Sequence, residues 1–145
     1  MRVEEFVRES GLPIDRYEAY SYGYPELADQ LLELVLRGDK RATTGLKPLY
    51  ELEGEPLPQP GEYSVILSAA GEPRCITRIT RVEVVRFREI DEAYARTEGE
   101  GDKSLAYWKR EHRKVFAREC REDFGIDFSE DMECVCEYFE VVYPR

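Results

Sequence analysis

The chain has 145 residues, of which 42% are hydrophobic and 12% aromatic; this suffices for one core and is too apolar for a disordered polymer. A formal charge of −10 argues against a protein that wraps long nucleic acid electrostatically. No apolar run reaches membrane-spanning length and Met1-Arg2-Val3-Glu4-Glu5 lacks a secretion-signal pattern, so a cytoplasmic protein with no membrane partner is expected.

One domain is expected over residues 1–145, with 1–24 as a helical and irregular N-terminal extension. Residues 2–9 read as a short helix broken by Gly11-Leu12-Pro13. Tyr17, Tyr20, Tyr22 and Tyr24 crowd an irregular stretch, their rings suited to covering a core or stacking on a base. Pro25 favours the first turn of a helix running to Arg37, in which Leu27, Leu31, Leu34 and Val35 share a face. Gly38 stands where a left-handed cap is expected, so the chain turns there and Lys40 and Thr43 emerge together at the edge of the core.

Leu46 to Leu52 reads as extended, and residues 54–61 as a proline-rich loop. Glu62 to Leu67 is a strand, and the β-branched run Arg74 to Phe87 is one bent strand or two. Glu89 to Thr97 looks helical and leads into Glu98-Gly99-Glu100-Gly101, a flexible acidic loop. Asp102 or Ser104 caps the next helix, which places Leu105, Trp108, His112, Val115, Phe116 and Cys120 on one face. Its other face carries Lys109, Arg110, Arg113, Lys114, Arg118 and Arg121. Met132 to Tyr143 alternates as a closing strand with Glu133 and Glu137 on a polar face. Helices and strands intermix without a βαβ rhythm, which favours an α+β fold with a mostly antiparallel sheet or small barrel flanked by helices.

Cys75, Cys120, Cys134 and Cys136 form no Cys-x-x-Cys pair and have only His112 for company, so buried thiols are expected rather than a metal site or disulfides. Residues 37–47 sum to +3 and residues 74–88 to +4, leaving −17 for the remainder. Such segregation suits a local cationic pocket for a short anionic ligand.

Three features resemble the ASCH family, small domains with a PUA-like β-barrel. They are Gly38-x-Lys40-x-x-Thr43, the preceding helix Pro25 to Leu31, and Glu98-Gly99-Glu100-Gly101-Asp102-x-Ser104-Leu105-x-x-Trp108. The resemblance spans Tyr20 to Tyr143 and implies an RNA- or nucleoside-related role. Some members deacetylate N4-acetylcytidine with a lysine, a threonine three residues on and a later glutamate; others are described as ribonucleases. The catalytic trio so implied is Lys40, Thr43 and Glu98, with Glu100 as the alternative acid. A lysine depressed by burial or by a cationic neighbour such as Arg41 would activate the threonine. Arg41, Thr44, Glu100, Ser104 and Tyr107 are the expected substrate contacts, a nucleoside or short single-stranded RNA the expected partner, and neither metal nor cofactor is expected. A binding module without catalysis is the alternative.

Overall fold

A computed structural model describes all 145 residues. The elements are α1 (Val3–Ser10), β1 (Tyr17–Tyr20), α2 (Pro25–Leu36), β2 (Ala42–Leu46), α3 (Lys47–Glu53), β3 (Tyr63–Leu67), β4 (Pro73–Arg86), α4 (Glu92–Glu98), α5 (Leu105–Phe124) and β5 (Glu133–Tyr143). The five strands form one curled sheet, a half-barrel in the order β1-β3-β4-β5-β2. The β1–β3 pair is parallel and all others are antiparallel.

α2 begins with proline at its first turn and buries Ala28, Leu32 and Val35. It stops at Gly38, whose φ of 83° allows Gly38 N–H to reach the carbonyl of Val35 and Asp39 N–H that of Leu34. This paired closure is open to glycine because the left-handed conformation costs it nothing. β4 is a single strand that bends through two register shifts, at Ile76/Thr77 and Ile79/Arg81.

Two local expectations fail. Of the stretch Leu46 to Leu52 only Leu46, the end of β2, is extended: Pro48 preorganises the first turn of α3, which packs Leu49 into the core before Gly54 caps it. Part of the tyrosine stretch is not irregular either, because Tyr17–Tyr20 pairs with β3 as the edge strand.

Strand alternation divides the interior between the two faces of the sheet. Ala42 and Leu46 of β2 and Cys134 and Cys136 of β5 join Phe87, Tyr94, Trp108 and Phe116 in the larger core cluster. On the other face, Phe139 and Ile66 meet Tyr22 and the Leu32 and Val35 side chains of α2. All four cysteines are buried free thiols, as their sequence context implied.

Candidate functional site

Lys40 leaves the α2 cap pointing inward and is 2% exposed. Its ammonium has three donors, and all three are used, by Glu98, by Glu100 at 3.1 Å and by the Ala42 carbonyl at 2.7 Å. Burial pulls its pKa down, but the two carboxylates outweigh this and hold it above the ordinary lysine value. The lowered lysine pKa expected for activating the threonine is therefore not found: the Lys40 pKa is raised and its three donors are engaged. Arg41 does not alter this, since its side chain is exposed and its backbone ties Thr97 to Phe139.

Glu98 is 0% exposed and closes the last turn of α4. Besides Lys40 it accepts from the Thr44 hydroxyl, from Trp108 Nε1 at 3.0 Å and from His112 Nε2 at 3.1 Å. His112 Nδ1 lies 2.9 Å from the Trp108 carbonyl. Its two ring nitrogens thus both face acceptors, which only the imidazolium can satisfy. Burial opposes that charge, but Glu98 raises the His112 pKa overall. Burial likewise works against the Glu98 carboxylate, yet Lys40 and His112 hold it ionised, well below its usual range. Glu100 is pushed up to about 7, first by burial and further by Glu98, against the pull of Lys40.

The expected acidic loop is rigid where it matters. Glu98 belongs to a helix, and Gly99, at φ 75°, approaches so closely that a Cβ there would lie 1.8 Å from the Asp39 carbonyl oxygen. That approach seats Glu98 against Lys40. Glu98, Glu100 and His112 offer ligand atoms within 4.8 Å of one another, but the Lys40 ammonium already stands among the two carboxylates as their counter-charge.

Thr43 is not in this cluster. Adjacent strand residues face opposite ways, so the hydroxyl beside Glu98 is that of Thr44, which also meets Tyr94 OH at 2.7 Å. Thr43 instead lines a cleft of about 1010 Å³ on the other face, with Tyr17, Tyr20, Tyr22, Tyr50 and Ser64. Directly opposite Thr43 in the β2–β5 register is Glu137, another lining residue. Burial, then Glu18 and Glu62, push Glu137 up to about 7, with Lys40 pulling the other way. Gly45 is needed in this wall because Tyr50 lies across it, its hydroxyl 3.1 Å from where a Cβ would stand.

Lys40 and Glu98 thus meet as anticipated, and Glu100 joins them. Ser104 caps α5 by accepting from Tyr107 N–H, and the Tyr107 ring covers Gly101 beside Arg110, so neither lines the cleft. His112, Tyr94 and Glu137, which no sequence motif marks as site members, also stand at these two places. A lone histidine four residues after the lone tryptophan on one helical face was an available signal for the first. The expected cationic pocket is also absent: the cleft carries seven carboxylates and one arginine, Arg16.

A curled, barrel-like five-stranded sheet flanked by helices is the architecture of a PUA-like domain. The ASCH domain profile matches residues 18–143, and the chain belongs to that family, whose PUA-like fold is associated with RNA binding. Among solved structures it is similar to an ASCH domain from Lactobacillus crispatus JV V101, with 37% identity, a TM-score of 0.90, and coverage of 97% of this chain and 93% of that one. It is also similar to a protein from Enterococcus faecalis V583, with 32% identity, a TM-score of 0.85, and coverage of 95% and 83%. No curated protein matches the chain. No helix is long and apolar enough to cross a membrane.

Proposed function

We propose that this ASCH domain is a hydrolase that binds a modified nucleoside in the tyrosine-walled cleft and cleaves an amide on its base, as in an N4-acylated cytidine. The observation that carries the reading is the placement of Thr43 directly across from Glu137 on the cleft face. A threonine hydroxyl needs an adjacent base to become nucleophilic, and a carboxyl group poised near 7 is matched to that task at neutral pH.

Thr43 Oγ attacks the amide carbonyl carbon while Glu137 takes the hydroxyl proton. Collapse of the tetrahedral intermediate breaks the C–N bond, and Glu137 returns the proton to the departing amine. Water, deprotonated by the same carboxylate, then releases the acyl group from Thr43. Lys40, its donors all engaged, acts as a fixed charge behind the cleft floor, 5.6 Å from the centre of the Tyr22 ring. Glu98 positions Lys40 and, being fully buried and outside the cleft lining, does not touch substrate.

A ribonuclease would have to stabilise charge developing on a phosphate, and a cleft whose only cationic side chain is Arg16 is poorly suited to that. The test is a panel of N-acylated nucleosides followed by mass spectrometry of the products. Wild type should release the free amine, whereas Thr43→Val and Glu137→Gln should bind and lose turnover by about 10²-fold or more. Binding by wild type without turnover of any amide would overturn the hydrolase and leave a recognition module.

A further inference from the structure

Many ionic side chains of this protein are paired across its surface. Arg37 meets Asp39, Arg88 meets Asp131, Arg113 meets Glu130, and Arg118 meets both Glu26 and Glu122. The acids without such partners are concentrated around the cleft. None of its seven carboxylates takes part in any ion pair.

They also act on one another. Glu18 and Glu62 both bear on Glu137, and Glu137, Glu18, Glu119 and Glu53 all bear on the Tyr50 hydroxyl. The floor holds a second unsatisfied group. Tyr22 is 3% exposed, and its hydroxyl, close enough to Glu137 to feel its charge, has no hydrogen-bond partner. Glu119 and Glu137 are half-buried and the other five acids stand exposed around them; like charges lining one space without counter-ions create a field that a cation relieves and an anion worsens. The tyrosine walls add ring faces, which attract organic cations by their quadrupole. Carboxylates accept hydrogen bonds from an ammonium or an amino-bearing base.

We infer that the cleft is selective for an organic cation: its ligand bears a protonated amine or a cationic base under Glu18, Glu62 and Glu137, and carries no phosphate. This rests on the assignment of the cleft as the ligand site and narrows the substrate to a modified nucleoside that carries a protonated amine or cationic group in addition to its amide.

The test uses one base and sugar with three charges at the 5′ position, namely 5′-amino-5′-deoxycytidine, cytidine and cytidine 5′-monophosphate, with spermidine as a cation outside the nucleoside class. Calorimetric titration of the full chain should rank amine above alcohol above phosphate. The two ends should differ by about tenfold or more at low salt, and less as salt rises toward physiological levels. In Glu18→Gln/Glu62→Gln the ranking should flatten, with a circular-dichroism melt confirming that this surface variant is folded. Equal or tighter binding of the phosphate, or a ranking unchanged in the double variant, overturns cation selectivity. Spermidine binding that the double variant abolishes, with none of the three cytidines bound, upholds the charge selectivity and overturns the nucleoside reading. Failure of all four to bind overturns both.

Discussion

Glu137 and Trp108 make opposite kinds of demand on their surroundings. Glu137 can act as a base only once ionised, so the pH dependence of kcat/KM should rise through about 7. Because Glu18 contributes to holding that value up, Glu18→Gln should move the rising limb toward lower pH, measurable in a pH–rate profile of the wild type and variant. A limb that stays put would remove Glu137 from the role of base. Trp108, 2% exposed and stacked on His112 at 4.1 Å, fills the larger core and also donates to Glu98. Trp108→Ala should cost roughly 3–5 kcal/mol in a denaturant titration. Trp108→Phe, which keeps most of the bulk but leaves the buried Glu98 one donor short, should cost about 1–3 kcal/mol.

At the level of elements, the turn joining α4 to α5 decides whether the charge cluster assembles. Gly99 packs against the backbone of Asp39, which cannot swing aside, whereas a Cβ on Gly101 would meet the ring of half-buried Tyr107, which can. Both glycines have positive φ, so an alanine is strained at either. Gly99→Ala should nonetheless lose about 3–5 kcal/mol and Gly101→Ala about 1–2 kcal/mol, read as thermal or denaturant midpoints of the two variants. Similar losses at both would mean that the close approach of the α4 cap to the turn after α2 is not what seats Glu98. α5 shows the same dependence on neighbours. Its cationic stripe reads in isolation as a docking face, but Arg110, Arg113, Lys114, Arg118 and Arg121 all have acidic partners in place.

For the whole molecule, pairing of the bases and a net charge of −10 leave no basic track. A single-stranded RNA of twenty or so nucleotides should therefore bind more weakly than about 100 µM at physiological salt, the weak end of non-specific binding. Gel-shift titration would show this, and a tight, steeply salt-dependent complex would contradict it. Stability should also carry a pH signature. His112, Glu100 and Glu137 all have folded pKa values raised above their unfolded ones. Each contributes stability that is complete below its unfolded pKa and is lost as pH rises through its folded pKa. Glu98, depressed by Lys40 and His112, contributes in the other direction and is lost in acid. The melting temperature should accordingly fall between pH 5 and 8, and the fall should be shallower in Glu137→Gln; a flat profile would show these groups solvated in solution.

The sequence by itself determined the periodic and punctuated features: α2 between Pro25 and Gly38, the long β4 run, the α5 face built on Trp108, the buried thiols, and the likeness to ASCH domains. These depend on local propensity and on hydrophobic spacing that any packed arrangement must respect. Tertiary structure alone decided which side of β2 each threonine serves, because two adjacent strand residues differ only in the face that the sheet turns inward. It alone paired Thr43 with Glu137, nearly a hundred residues away, through β2–β5 register, and set Glu98 behind Lys40 through the contact of Gly99 with Asp39. The sign of the cleft's charge was decided there too. Summing charges along segments cannot tell which carboxylates will find a partner, and folding gave many acids an arginine or lysine elsewhere on the surface while leaving those of the cleft without one.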